Sequence, residues 1–136
     1  MSQFWKEGEE LGKAVISTFE KLLADEEILR KVAGLDWLIV WKYHDPDVQI
    51  WANIAEREYG LGPEPGKFKV RISMSSDDAH RAWSNKLNWP MTIARKKAKI
   101  EGEVAGVLKL IPLLKRLAIE YNETLREMGK EDIILK

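Results

Sequence analysis

Apolar residues recur every three or four positions in the first part of the chain, which is the period of one face of a helix. The stripe includes Leu11, Val15 and Phe19, and charged side chains occupy the opposite face. The pattern therefore predicts a helix over residues 3–24. A short second helical turn is predicted over residues 25–33.

The spacing changes to two from residue 35 onward, which is the period of a strand. Residues 35–44 are apolar on both faces at their centre, a pattern typical of an interior strand. A turn at residues 45–47 then leads to a return strand over residues 48–56. One face of the first strand carries Leu35, Trp37, Ile39, Trp41 and Tyr43.

The register of this hairpin follows from the side chains that it would bury. We expect Trp41 opposite Ile50 and Ile39 opposite Ala52, so that the apolar residues of both strands share one face. A shift of one residue would instead bury the polar Gln49.

Glycine and proline make residues 60–66 a loop, and strict alternation predicts a third strand over residues 67–74. The polar face of this strand carries Lys67, Lys69 and Arg71. Three cations on one strand favour a protected edge of the sheet.

Two short helices and a fourth strand follow. Ser75 begins a capped helix that closes at Asn85, and Asn88 begins another helix with Pro90 in its first turn. Residues 97–103 form the fourth strand.

A long helical stripe runs from Val104 to Met128 and is interrupted at Pro112, which lacks a backbone donor. Residues 132–136 are either a fifth strand or a frayed end.

Length, charge and composition narrow the class of protein. A chain of 136 residues is expected to form one domain, and its 22 acidic and 22 basic residues cancel, which argues against nucleic-acid binding. The absence of cysteine excludes disulfides and thiol catalysis and fits a cytoplasmic protein. Neither a secretory signal nor an apolar run of the ~20 residues that span a bilayer is present. We therefore expect a soluble protein.

Neither histidine is expected to perform chemistry. His80, near Asp77 and Asp78, is interpreted as a solvated helix residue, and His44 as part of the hairpin tip. Two histidines without cysteine leave little for a transition-metal site, and motifs for nucleophiles or phosphate binding are absent. The sequence therefore predicts a protein that is not an enzyme.

A basic stretch lies between residues 79 and 100. These cations either complement helix ends as solvated side chains or orient the protein at an anionic membrane surface. The stretch contains no acid, and its cations are Arg81, Lys86, Arg95, Lys96, Lys97 and Lys99.

The second half of the chain is more apolar than a two-layer domain with one tight core requires. Apolar residues surround nearly the whole circumference of the helix over residues 104–117, and more occur over residues 83–93. The excess predicts either a dimer face beside a packed core or an apolar cavity between sheet and helices.

Four segments carry a resemblance to a known family by their order and spacing: Ile72–Ala79, Asn85–Asn88, Ala98–Gly102 and Leu108–Pro112. The sequence resembles the sterol carrier protein type 2 family over about residues 35–112. The resemblance implies an α+β fold in which a twisted, mostly antiparallel sheet of about five strands has one face covered by helices. It also implies a sterol-like, fatty-acyl or other lipid ligand in an apolar tunnel between the layers, and no cofactor.

Two turns depart from the glycine that members of this family typically carry. Asn85 occupies the first of these positions and Lys96 the second, whereas Gly102 is kept. Asparagine tolerates the left-handed backbone conformation, but a lysine there costs roughly 1 kcal/mol. This cost favours a different construction of the second turn.

We therefore predict a single lipid-binding domain over residues 1–136, with its sheet and covering helices over residues 35–128. The alternative is a non-catalytic interaction or dimerisation module that packs through its apolar C-terminal helix, so that Leu110→Glu or Leu117→Glu would dissociate a homodimer. The predicted lipid lining consists of Trp37, Ile39, Trp41, Ile50, Trp83, Leu87, Met91, Leu108, Ile111 and Leu114.

Overall fold

The computed structural model describes residues 2–34 and 37–136. The predicted strand positions Leu35 and Asp36 lie outside the described residues. In chain order the elements are α1 (Gly8–Leu23), α2 (Glu26–Val32), β1 (Leu38–His44), β2 (Val48–Asn53), β3 (Glu58–Leu61), β4 (Val70–Ser75), α3 (Ser76–Trp83), α4 (Trp89–Ala94), β5 (Lys99–Gly102), α5 (Val104–Val107), a 3-10 helix (Leu108–Leu113), α6 (Leu114–Glu127) and a 3-10 turn (Glu131–Ile133).

The strands form one five-stranded sheet in the order β3-β2-β1-β4-β5. β1 and β4 are parallel, and the three other neighbouring pairs are antiparallel. The predicted hairpin register is confirmed, because Trp41 lies opposite Ile50 and Ile39 lies opposite Ala52. The α+β class with a mostly antiparallel sheet is therefore confirmed as well.

Two predictions about the strands are wrong. β4 is not an edge, since it lies between β1 and β5, and its cation Arg71 instead occupies the sheet face turned away from the helices. The loop predicted over residues 60–66 is wrong at its start, because Glu58–Leu61 is the fifth strand. Of the two alternatives left open for the C-terminal tail, the strand is not the one observed. Gly60 suits the fifth strand because a Cβ atom there would lie 2.8 Å from the indole of Trp51.

The helices lie on one face of the sheet. α1 packs on β2, α3 packs on β1 and β4, and α6 packs on both α1 and α3. The core between the layers contains alternate residues of the strands, among them Ile39, Tyr43, Ile50, Val70 and Met74, each at most 3% exposed. Alternation along the strands therefore decides which side chains face the helices.

α1 begins at Gly8, five residues later than predicted. The preceding segment is bound to the first turn of α3: the Asp77 carboxylate accepts hydrogen bonds from the Ser2 hydroxyl and the backbone N–H groups of Gln3 and Phe4. Trp5, in the same segment, is buried in the core. These tertiary contacts, rather than the apolar periodicity, determine where α1 begins.

The predicted helix signals are confirmed. The Ser75 hydroxyl accepts a hydrogen bond from the Asp78 backbone, and the Asn88 side chain does the same for Met91. Pro112 lies in the 3-10 helix that separates α5 from α6. The interruption of the α-helix there follows from the missing backbone donor of proline.

The two turns that lack glycine are built alike. Asn85 has φ +58° and Lys96 has φ +59°. In each turn the next residue donates to the carbonyl five positions back, from Lys86 to Arg81 and from Lys97 to Thr92. The expectation of a different second turn is wrong, because the hydrogen bonds of the cap hold Lys96 in the left-handed conformation.

Candidate functional site

The space between the sheet and the helices is filled by aromatic rings. Trp41 lies 5.7 Å from Trp83 and 5.4 Å from Phe19 between ring centroids, and Trp83 lies 6.4 Å from Tyr121. These separations are typical of packed aromatic pairs. Four predicted lining residues lie in this core, each at most 7% exposed: Ile39, Trp41, Ile50 and Trp83.

The phenol hydroxyls of Tyr43 and Tyr121 within this core are paired and uncharged. The Trp83 indole N–H donates to the Tyr43 hydroxyl at 3.0 Å. Burial raises the pKa of Tyr43, although this hydrogen bond lowers it in part, and burial also raises the pKa of Tyr121. Both phenols therefore remain neutral, and the interior of the aromatic cluster carries no charge from them.

The other predicted lining residues lie further out. Trp37 and Leu87 are half-buried and pack against the core, and Leu114 is half-buried. The remaining three are exposed: Met91 by 45%, Leu108 by 62% and Ile111 by 54%. The structure thus joins six of the ten residues in one cluster and leaves three at the surface.

Exposed apolar side chains are concentrated in the elements on either side of β5 in the chain. α4 precedes this edge strand, and α5 and the 3-10 helix follow it. From the same segments, Trp89, Val107 and Leu110 pack inward against the core. The large exposed apolar side chains of these elements are Met91, Ile93, Val104, Leu108 and Ile111. These segments therefore contribute side chains both to the border of the aromatic core and to the surface.

The opposite face of the sheet is polar and ionic at one end and aromatic at the other. A depression of about 530 Å³ contains Arg71, whose guanidinium donates to Glu101 at 2.9 Å. This hydrogen bond, with the charges of Arg71, Lys99 and Lys42, lowers the pKa of Glu101. A groove of about 760 Å³ at the other end includes Trp37, Trp51 and Phe68. Neither cavity lies between the two layers.

His80 is not the solvated residue that we expected, since it is completely buried. Its Nε2 donates to the Ile133 carbonyl at 2.7 Å, because a carbonyl only accepts. Its Nδ1 then accepts from the Tyr121 hydroxyl at 2.7 Å. A signal for this burial existed in the sequence, because His80 lies one turn from both Ser76 and Trp83 on the buried face of α3.

The stability of the fold should fall as the pH falls below about 6.5, the ordinary pKa of histidine. Burial lowers the pKa of His80, so near pH 6 the unfolded chain binds a proton that the folded chain does not. Its stabilising contribution is present above the unfolded pKa and is lost as the pH falls toward the folded pKa. We expect urea unfolding between about pH 7 and pH 5 to show this slope.

His80→Gln should flatten that slope, because it removes the buried group that titrates. Asp77 titrates at lower pH than this range. Burial alone would raise the pKa of its carboxyl group, but hydrogen bonds from Ser2, Gln3 and Phe4 lower that pKa below 3.8. A slope that persists in His80→Gln would show that another group causes the pH dependence.

Among residues 2–34 and 37–136, no three histidine, aspartate or glutamate side chains are grouped so as to hold a metal ion. Within the same ranges, none of the helices combines the length and apolar character needed to cross a membrane.

The model of the SCP-2 sterol transfer family matches residues 16–115. No curated protein matches the chain significantly.

Solved structures share the fold at low sequence identity. The sterol carrier protein domain 2 of Helicoverpa armigera has a TM-score of 0.63 and 22% identity, with coverage of 78% of this chain and 86% of that chain. The sterol carrier protein 2 from Yarrowia lipolytica, in its apo form, has a TM-score of 0.59 and 13% identity, with coverage of 91% and 98%. A sec-alkylsulfatase from Pseudomonas sp. has a TM-score of 0.51 and 20% identity, with coverage of 64% of this chain and 14% of the enzyme.

Proposed function

This chain belongs to the SCP-2 sterol transfer family, and from that premise we propose that it binds a sterol, fatty-acyl or similar lipid in an apolar tunnel between its sheet and its helices. Binding would serve the transfer of the lipid, with no cofactor and no catalytic step. The observation that carries the proposal is the apolar segment that follows β5 in the chain, where exposed Leu108 and Ile111 adjoin Val107 and Leu110, which pack on the aromatic core.

The energetics favour a broad ligand class. Each methylene group moved from water to an apolar site contributes about 0.8 kcal/mol, so a long acyl chain gains on the order of 10 kcal/mol before the costs of ordering it. The neutral phenols of Tyr43 and Tyr121 are engaged by Trp83 and His80, which leaves few polar groups to select a head group. We therefore expect binding that depends more on chain length than on head-group chemistry.

Entry of a lipid requires side chains to move, because aromatic rings occupy the interior. The 3-10 helix is the element that should move most easily to admit a lipid. Its hydrogen-bond geometry is poorer than that of an α-helix, and Pro112 removes one backbone donor. Its side chains Leu108 and Ile111 are exposed and make few contacts that would have to be broken. We place the entrance between this helix and β5.

The proposal is tested by titration of the protein with a brominated fatty acid while tryptophan fluorescence is recorded. Bromine quenches at short range, so binding near Trp41 and Trp83 should reduce the emission in a saturable manner. The double variant Leu108→Ser/Ile111→Ser should weaken binding about tenfold or more, since it removes apolar contact area at the entrance.

The single variant Ile119→Ser is the matched control, because Ile119 is 56% exposed but lies on α6 outside the proposed entrance. It should bind as the wild type does. Absence of saturable quenching by any acyl chain, or an equal loss in the control, would reject the proposed site.

A second candidate function is a dimerisation module, which the exposure of Leu108, Ile111 and Ile119 favours. Leu110 and Leu117, the positions that the sequence indicates, are half-buried against the core, so substituting glutamate there would destabilise the fold rather than separate subunits. Leu108→Glu is the appropriate change. It should convert a concentration-dependent dimer to a monomer in sedimentation, and a wild-type protein that is monomeric at all concentrations excludes this candidate.

A further inference from the structure

α4 presents two different faces. On its inner side Trp89 packs against the core and Thr92 is buried, with the Thr92 hydroxyl bound to the Asn88 carbonyl at 2.7 Å. Met91 and Ile93 precede and follow Thr92 directly, so they lie on the two opposite sides of the helix, where they are 45% and 46% exposed. The helix is thus anchored by its inner face and exposes an apolar tip, which consists of Met91 on one side and Ile93 on the other.

Exposed cations flank this tip at both ends. Lys86 precedes α4, and Arg95, Lys96 and Lys97 follow it directly. Among the described residues none of these four cations forms an ion pair with an acid. Five lysines elsewhere on the surface are paired with acids, namely Lys13 with Glu9, Lys21 with Glu127, Lys31 with Glu27, Lys69 with Glu103 and Lys130 with Glu10.

The backbone fixes these cations beside the helix. The left-handed residues Asn85 and Lys96 close the two turns, and the N–H groups of Lys86 and Lys97 are bound to the carbonyls of Arg81 and Thr92 at 2.7 and 3.0 Å. Residues 79–100 contain no acid, so the local field is positive although the net charge of the chain is zero.

We propose that α4 and its flanking cations form a docking surface for an anionic lipid bilayer. The surface consists of Met91 and Ile93, which enter the acyl region, and of Lys86, Arg95, Lys96 and Lys97, which meet the head groups. An apolar tip flanked by cations is complementary to this bilayer, because the bilayer surface is anionic and its interior is apolar. Both parts of the match are needed, because an acidic protein surface would satisfy the cations alone.

The inference rests on the proposed function for its purpose, because a carrier must meet the membrane that supplies or receives its lipid. α4 is suitably placed, since Leu87 and Trp89 connect it to the aromatic core that contains Trp83. Docking through α4 would bring the membrane next to side chains that pack on this core.

The test is flotation of the purified full chain with two kinds of vesicle, one of phosphatidylcholine alone and one with about 30% phosphatidylserine, at low salt. The wild type should float with the anionic vesicles only. Arg95→Gln/Lys96→Gln/Lys97→Gln should weaken partitioning on the order of 100-fold, since each cation near the surface contributes roughly a factor of five. Met91→Ser/Ile93→Ser should weaken it as well.

The matched control is Lys6→Gln/Lys67→Gln/Lys136→Gln, which removes three exposed cations elsewhere and changes the net charge equally. It should retain vesicle binding. Equal losses in the two triple variants, flotation with neutral vesicles, or no flotation at all would overturn the proposal. Binding to soluble polyglutamate that Met91→Ser/Ile93→Ser leaves unchanged, without vesicle binding, would identify an acidic protein as the partner and would also overturn it.

Brominated fatty acid quenching of the Arg95→Gln/Lys96→Gln/Lys97→Gln variant separates docking from cargo binding. Lost flotation with retained quenching is the expected result for that variant. If the wild type fails to float but shows quenching, the docking proposal alone is rejected. If it floats but shows no quenching, the lipid-carrier proposal is rejected instead.

Discussion

Replacement of Trp83 by alanine should lower the free energy of unfolding by about 3–5 kcal/mol, the usual cost of deleting a large buried side chain. The Trp83 ring lies within 6.4 Å of the rings of Trp41, Phe19 and Tyr121, and its N–H donates to Tyr43. The substitution leaves a cavity in the core and a buried phenol without its donor. Urea unfolding followed by circular dichroism measures the loss.

Trp83→Phe is the control for packing, because it keeps a ring but removes the hydrogen bond to Tyr43. It should cost about 1–2 kcal/mol, which is much less than the alanine variant. If Trp83→Ala costs under about 1 kcal/mol, the ring borders an open space instead of filling the core. That result would contradict the packed interior described above.

Replacement of Gly102 by alanine should cost about 3 kcal/mol or more, because two separate effects oppose it. Gly102 has φ +94°, a conformation that L side chains rarely adopt, and a Cβ atom there would overlap the carbonyl oxygen of Lys69. That carbonyl also accepts the N–H of Glu103 at 3.0 Å. Relief of the overlap would push β5 away from β4 at the pair formed by Val70 and Gly102.

Gly129→Ala is the matched control for backbone strain alone. Gly129 has φ +73°, and no atom lies within 4 Å of an added Cβ. It should cost only about 1 kcal/mol. Equal losses for the two variants in urea unfolding would contradict the close approach of β4 and β5 at Gly102.

Local features of the fold could be predicted from the sequence because neighbouring residues decide them. The register of the β1–β2 hairpin follows from alternation, since a slip by one residue would bury Gln49. The caps at Ser75 and Asn88 depend on side chains three residues from the N–H groups that they bind. The break at Pro112 follows from the missing donor.

Features that depend on distant parts of the chain could not be predicted in the same way. The position of β4 between β1 and β5 is set by a parallel pairing across about 30 residues of intervening chain, and nothing in the alternation of residues 67–74 specifies it. β3 is short and contains a glycine, so its pattern resembles a loop. The start of α1 depends on the anchor between Gln3 and Asp77, which are 74 residues apart in the chain.

For the candidate site, periodicity predicted which face a residue occupies better than how deep it lies. Leu108 and Leu110 belong to the same apolar run, yet Leu110 packs on the core and Leu108 is 62% exposed. His80 shows the opposite case, because a polar residue on the buried face of α3 is retained by two hydrogen bonds. Depth depends on which elements cover a face, and that information is not local.

Native mass spectrometry of protein purified without detergent tests the lipid-carrier proposal most directly. We expect a population heavier than the 15.7 kDa chain by the mass of one lipid, and the same lipid in an organic extract of the sample. Unfolding in acid should release this added mass. A spectrum with the bare chain alone, together with an extract free of lipid and no binding of added acyl chains, would contradict the account.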